Sequence, residues 1–293
     1  LIHIMMLGWL HGAGPTPVVL MGGGTAEIGD PSGKDNARPV LSSETIKKNQ
    51  ESIKTIFEKF LKFGVSNNEA LMVDNSKWLE KLNYISFLRD FGSSFSINKL
   101  INLESVKQRL DREQNLSFLE FNYSLLQAFD FLQLHKEYGC KIQMGGSDQW
   151  GNIVTGLDLI RKKTSKQTFG FTSPLLTTSS GAKMGKTANG AVWLNVEQLS
   201  DWDFWQYWRN TEDLDVIKFL KLFTELPITE INKLQQLKGV ELNDAKIILA
   251  NEVTKLSRSA EAAEKISTSA SKIFKKIISD EALPTINISK PEI

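Results

Sequence analysis

The sequence predicts an α/β protein in which a parallel-sheet domain is followed by a smaller domain made of helices alone. Three observations carry that expectation. Residues 17–21 (PVVLM) form a short apolar run that ends in Gly22-Gly23-Gly24, and residues 141–144 (KIQM) form a second that ends in Gly145-Gly146. Each reads as a buried strand running into a glycine turn. Helical patterns lie between and after them, as a parallel sheet with crossover helices requires. From Asp201 onward only helical periodicity remains.

Taken in order, residues 1–10 are apolar but lack a basic start and a small-residue cleavage site, so no signal peptide is expected. Residues 43–63 carry Ile46, Ile53, Phe57, Phe60 and Leu61 at helical spacing, with Gly64 as the stop. A second helix is expected over residues 117–133, opened by a Ser117/Glu120 capping box. A third carries Ile153, Leu157 and Ile160. Residues 171–195 are rich in Gly, Ser and Thr and read as a linker with a loop. Beyond it, Trp202, Trp205 and Trp208 recur every third residue, a pattern of core packing more than of ligand stacking. The expected division is 1–174 for the sheet domain, 175–200 for the linker, 201–275 for the helical domain and 276–293 for a tail.

Composition excludes several classes. Apolar residues make up 41% and charged residues 24%, the balance of a globular protein. No run of 18 apolar residues exists, so no membrane span and no membrane partner is expected. Cys140 is the only cysteine, which removes a disulfide framework and a thiolate zinc site and suggests a reduced, cytoplasmic setting. The three histidines, His3, His11 and His135, are far apart in sequence, so neither a metal site nor a histidine-based triad is expected. The net charge of +1 gives no global basic footprint for nucleic acid.

Three constellations can carry chemistry. Tyr123, Gln127 and Asp130 stand at i, i+4 and i+7, within roughly 60° of one helix face. Phe118, Phe121, Leu125, Leu126, Phe129, Phe131 and Leu132 make the rest of that helix apolar. A polar stripe on a buried helix must find partners. These are either neighbouring backbone in an internal network or a small polar ligand bearing an amine or hydroxyl. The second constellation, GGGTAEIGDPSGK (residues 22–34), is not a P-loop, because Ile28 occupies a required glycine position and Asp35 follows Lys34. Its glycines do not give the dinucleotide fingerprint either. It leaves a glycine turn, the Asp30 carboxylate, and a polar stretch with Lys34 and Arg38. The third, GGSDQWGN (residues 145–152), allows close backbone approach to a ligand. In it, Ser147 or Asp148 can cap the next helix, or Asp148 can instead receive two ribose hydroxyls. Finally, GAKMGKT (residues 181–187) is a basic loop whose Lys183, Lys186 and Thr187 suit a polyphosphate, or simply a solvated loop.

Together, GGGTAEIGDPSGK, FLEFNYSLLQAFDFL, QMGGSDQWGNIVTGLDLIRK and KMGKT resemble the bacterial-type tyrosyl-tRNA synthetases, in that family's order and spacing and over nearly the whole chain. The resemblance implies a class I synthetase with a Rossmann-type catalytic core and a helical anticodon-side domain. It implies that Asp30, Tyr123 and Gln127 bind the amino group of tyrosine, and that Asp130 receives the phenolic hydroxyl. Gln143 supports this pocket, and Gln149 lies near the substrate carboxylate. Gly146 and Asp148 match contacts to the ATP ribose. Lys183, Lys186 and Thr187 match the signature loop that handles the phosphates, with Lys34 and Arg38 on a second loop. ATP with Mg2+ as co-substrate, L-tyrosine, tRNA(Tyr) and a homodimer formed near Phe118 are the implied partners, with no tightly bound cofactor. The family's His-x-Gly-His signature aligns immediately before Leu1, and a C-terminal RNA-binding domain would follow Ile293, so the chain reads as a fragment of reduced activity. Two rivals are a tryptophanyl enzyme, which would lack the Tyr-Gln-Asp set, and an inactive relative serving as an RNA-binding or structural module.

Overall fold

The structure, a computed structural model, describes residues 1–30, 41–66, 69–187 and 190–278. The chain divides into two units, one of residues 2–176 and one beginning at Thr177. In the first, helix α1 (Ile2–Gly12) leads into strand β1 (Val18–Met21) and a single helical turn, α2 (Gly23–Ala26). Next come α3 (Ser43–Phe57), β2 (Leu71–Asp74), α4 (Ser76–Leu79), α5 (Tyr84–Phe91), α6 (Ile97–Leu100) and α7 (Glu104–Asp111). The long α8 (Phe118–Tyr138), β3 (Ile142–Gly146), α9 (Trp150–Thr164) and β4 (Phe169–Ser173) close the unit.

The strands are parallel, as the strand–turn–helix pattern predicts. They form two ladders, β1 with β2 (Val18↔Leu71 to Met21↔Asp74) and β3 with β4 (Ile142↔Phe169 to Gly146↔Ser173). Among the described residues no backbone ladder joins the two pairs, so the expectation of one sheet is met only as two parallel pairs. Helices bridge them. Leu125, Phe129 and Leu132 of α8 share a core cluster with Val73 of β2, with Val18 and Leu20 of β1, and with Leu159 and Ile160 of α9. Gly156 lets α9 lie close to α8: a Cβ there would stand 3.1 Å from Cδ1 of Phe131.

The α8 start is as the sequence predicts. Ser117 Oγ accepts the Glu120 N–H and the Glu120 carboxylate takes the Ser117 N–H, a closed capping box. The Glu120 carboxylate also receives Arg109 Nη1 at 2.8 Å, a buried ion pair that ties α7 to the first turn of α8. Three local expectations are corrected. Helix α3 ends at Phe57 and not near Phe63, because Leu61 turns inward against Val19 and Met21. Helix α8 continues beyond Gln133 to Tyr138, because Leu134 is still buried there. Neither Ser147 nor Asp148 caps α9: residues 147–149 form a 3-10 turn and the helix starts at Trp150 without a side-chain cap.

The second unit begins with a lysine-bearing loop whose short strands β5 (Lys186–Thr187) and β6 (Gly190–Ala191) pair antiparallel. Helices α10 (Asp201–Arg209), α11 (Val216–Phe223), α12 (Ile228–Leu234), α13 (Leu242–Ser257) and α14 (Ala260–Ile278) follow. Trp205 and Trp208 are fully buried, and Trp208 packs against Phe219 and Phe223. Trp202 is only partly buried and stacks on Trp205. Trp205 and Trp208 are core, as the spacing suggests, and Trp202 flanks them.

Candidate functional site

The site is built at the C-terminal ends of the parallel strands, where ligands of open α/β sheets bind. At the end of β1 the chain makes the α2 turn against the end of β2. The N–H of Gly23 donates to Asp74 Oδ1 (3.1 Å) and that of Gly24 to Asn75 Oδ1 (2.8 Å). The Asp74 carboxylate also takes Gln50 Nε2 at 2.6 Å and the Ser76 N–H at 2.9 Å. A side chain at Gly23 would overlap that carboxylate, so only glycine allows the turn to close on it. Gly23, Gly24 and Thr25 are buried, so the glycine turn lies in the interior of the unit and not at its surface.

From that turn a chain of hydrogen bonds runs to α8. Asn75 Nδ2 donates to Thr25 Oγ1 (3.0 Å) and to Asp130 Oδ2 (2.9 Å). Trp78 Nε1 donates to Asp130 Oδ1 at 2.7 Å. Asp130 is 2% exposed, and both neutral donors stop short of providing a countercharge. Burial therefore pushes its carboxyl up to about 7, against the opposing pull of the Asn75 and Trp78 hydrogen bonds and with help from the Asp74 charge. A group so placed still has lone pairs to spare for a hydroxyl donor.

One turn earlier on the same face, Gln127 Nε2 approaches Gln143 Oε1 of β3 at 3.4 Å, and Tyr123 is half-buried. Asp30, Gln149 and Asp148 meet beside the end of β3. Gln149 Nε2 donates to Asp30 Oδ2 (2.8 Å) and to Asp148 Oδ2 (3.1 Å), and its own Oε1 accepts from Asn152 Nδ2 (3.3 Å). Gly146 lies against the Asp148 carboxylate, and a Cβ on it would stand 3.8 Å from Cε1 of His3. His3 Nε2 lies 3.2 Å from Ser173 Oγ at the end of β4, and burial pushes its imidazole down toward the neutral form.

The predicted residues thus fall into contacting sets: Asp30 with Gln149 and Asp148, Gln127 with Gln143, and Asp130 with two residues that sequence reasoning did not name, Asn75 and Trp78. Lys183 is exposed on the loop of the second unit, and Lys186 and Thr187 form β5. Lys34 and Arg38 lie outside the described residues. Sequence reasoning also missed Thr25, Asp74, Gln50 and His3. The available signal was the run Leu71-Met72-Val73 closed by Asp74-Asn75-Ser76, a short strand entering a turn. Among the described residues no group of three His, Cys, Asp or Glu side chains could hold a metal ion, and no helix is long and apolar enough to cross a membrane.

This arrangement holds polar side chains on a buried helix against strand ends, beside an acidic turn after a glycine pair, and comparison with known proteins places the chain in a class. The profile of the family described as tRNA synthetases class I (W and Y) matches residues 1–275, and the chain belongs to that family. Within it, the chain is 57% identical to the tyrosine–tRNA ligase of Rhodopseudomonas palustris, over 100% of this chain and 70% of the relative. It is 56% identical to that of Zymomonas mobilis, over 100% of this chain and 72% of the relative. Among solved structures, a C-terminally truncated mitochondrial tyrosyl-tRNA synthetase of Aspergillus nidulans superposes with a TM-score of 0.82 at 30% identity, covering 94% of this chain and 81% of the other. A tryptophanyl-tRNA synthetase of Campylobacter jejuni shares the fold alone, with a TM-score of 0.55 at 17% identity over 94% of this chain and 92% of the other. The expected Rossmann-like core with a helical part is the fold of this family.

Proposed function

We propose that this protein activates L-tyrosine with ATP and transfers it to tRNA(Tyr), the reaction for which the two bacterial relatives are named. The observation that carries the tyrosine reading is Asp130: a buried carboxyl at the end of a polar stripe, held from behind by Asn75 and Trp78 with acceptor capacity left over. A phenolic O–H donates to it. Asp30, Tyr123 and Gln127 take the amino group, Gln143 braces Gln127, and Gln149 lies near the carboxylate. Gly146 and Asp148 take the ribose of ATP. Lys183, Lys186 and Thr187 take its phosphates, with Lys34 and Arg38 assigned on the family resemblance alone. Mg2+ accompanies ATP as co-substrate.

The chemistry suits this set of groups. The tyrosine carboxylate, already an anion, attacks the α-phosphorus of ATP. A new C–O–P linkage forms as the bond to the bridging oxygen breaks, and pyrophosphate leaves. No enzyme nucleophile or base is needed. The protein aligns two reactants and stabilises charge on the leaving group. A site built to hydrogen-bond a hydroxyl rejects the analogue that lacks it, because buried polar groups would go unpaired. Rejection of phenylalanine by a tyrosyl-tRNA synthetase is itself the established illustration of that rule.

Two assembly features belong to the same reading. Residues 201–275 form the anticodon-side domain. Phe118 and Leu119, 68% and 46% exposed at the start of α8, form part of a homodimer face. The test is ATP–pyrophosphate exchange by the complete gene product with tyrosine, phenylalanine and tryptophan in parallel. Exchange with tyrosine alone is expected. A folded protein without exchange that still binds RNA would favour the inactive-relative reading.

A further inference from the structure

The lysine loop is held at two places, and both holds come from one short segment of the second unit. At its base, residues 177–183 turn back on themselves: Thr177 bridges Lys183, the Thr178 N–H donates to the Ala182 carbonyl at 2.8 Å, and Gly181 takes a left-handed φ of +85°. The tip of this turn is fastened by two carboxylates. The Ser179 N–H donates to Asp215 Oδ2 at 2.6 Å, and Ser180 Oγ donates to Glu212 Oε1 at 2.8 Å, while Ser179 Oγ donates to the other oxygen of Glu212. Lys218 Nζ adds a bond to the Thr177 carbonyl at 2.8 Å.

The second hold is between the two lysines. The Gly185 N–H donates to the phenolic oxygen of Tyr207 on α10 at 3.1 Å, and the Gly185 carbonyl accepts from the Val192 N–H at 2.9 Å. Gly185 has a φ of +84°, so its backbone is committed to a conformation that other residues adopt only with strain. The Tyr207 ring is itself fixed, partly buried and edge-on to Trp208, which is core. Burial pushes the phenol up, so it stays neutral and its oxygen is an acceptor throughout the working pH range.

We propose that Tyr207 is a positioning residue for the ATP step: by holding the Gly185 N–H it fixes the backbone that presents Lys183 and Lys186, with Glu212 and Asp215 fixing the base of the same loop. The inference rests on the reading of residues 183–187 as the phosphate loop. Its content is that the helical unit sets the grip on the triphosphate, through a side chain that touches neither tyrosine nor ATP.

The test is Tyr207→Phe in the complete protein, beside Lys183→Ala, with KM for ATP, KM for tyrosine and kcat measured in pyrophosphate exchange. Tyr207→Phe keeps the ring packing and removes only the acceptor. The loss of one hydrogen bond from a pinned loop is expected to cost about three- to tenfold in kcat/KM for ATP. KM for tyrosine should stay within about twofold, the scatter expected where no direct contact is lost. Hydrogen exchange at the Gly185 amide should quicken in the variant, a readout independent of activity. A Tyr207→Phe enzyme with wild-type ATP kinetics, beside a Lys183→Ala enzyme that is impaired, overturns the role of Tyr207 and leaves the phosphate-loop reading standing. An unimpaired Lys183→Ala enzyme overturns the loop reading, and this inference with it. If Tyr207→Phe does not fold, Glu212→Gln, which weakens the exposed base clamp, is expected to move the same ATP-specific parameter, and wild-type ATP kinetics there overturns the proposal.

Discussion

Replacing Asp130 with asparagine separates the two consequences of burying a carboxyl without a cation. In the native state its proton affinity rises from the ordinary 3.8 to about 7, with burial as the main cause. A raised native value means that the folded protein keeps this proton between about pH 4 and pH 7 while the unfolded chain has released it. The contribution of Asp130 to stability is therefore fully present below its unfolded value and is lost as pH rises through about 7. At about 1.4 kcal/mol for each tenfold change in proton affinity, the whole loss is ~4 kcal/mol, more than half of which falls between pH 5 and pH 8.

Asparagine removes this pH-dependent loss at a fixed cost. Its amide offers one acceptor where the carboxylate offered two, so either Trp78 Nε1 or Asn75 Nδ2 faces a donor. Asn75 cannot turn over to compensate, since its Oδ1 is committed to the Gly24 N–H. The unpaired donor costs about 1–3 kcal/mol at every pH. Urea titrations of wild type and Asp130→Asn at pH 5, 6, 7 and 8 should show the difference drifting in favour of the variant by about 2–3 kcal/mol. In the same variant the preference for tyrosine over phenylalanine in pyrophosphate exchange should fall about 10- to 100-fold. Parallel stability profiles across that range would refute the account of a buried, uncompensated carboxyl. Undiminished discrimination would refute its assignment to the phenol.

Trp78→Phe deletes one of the two donors behind Asp130 and keeps an aromatic ring of core size; it should lower the preference for tyrosine over phenylalanine about three- to tenfold, read by competition in the exchange assay. Arg109→Ala leaves Glu120 buried without its cation at the α8 capping box, and should destabilise by about 3–5 kcal/mol in a denaturant titration, unlike an exposed Arg89→Ala control. Gly156→Val forces α9 away from Phe131 of α8 and should cost about 1–3 kcal/mol in the same titration. Gln149→Ala removes the amide shared by Asp30 and Asp148, so KM for tyrosine and KM for ATP should both rise about three- to tenfold; a rise in only one would separate the two carboxylates.

What the sequence disclosed and what it withheld divide along the range of the interactions involved. The polar stripe of α8 and its capping box are written within single windows of a few residues, and α8 forms as its pattern requires. The overrun of that helix to Tyr138 and the early end of α3 are set by burial of Leu134 and Leu61 against distant elements, which no local window contains. The same limit hid the partners of Asp130. A buried carboxylate on an apolar helix announces that donors must exist, but not which ones. Asn75 and Trp78 are 55 and 52 residues away in sequence. They reach Asp130 only because β2 pairs with β1 in the register Met21↔Asp74 and so delivers the next turn, α4, beside the glycine turn. Strand β2 is four residues long, too short for periodicity to declare it, and its closing Asp74-Asn75-Ser76 reads locally as an ordinary turn. In the structure that turn does two jobs with adjacent residues. Asp74 closes on the backbone of Gly23, while Asn75 binds Gly24 and Thr25 on one side and Asp130 on the other. The carboxyl proposed to select the hydroxyl is thereby braced against the turn whose continuation carries Asp30, so the groups proposed for the two ends of the tyrosine molecule share one scaffold.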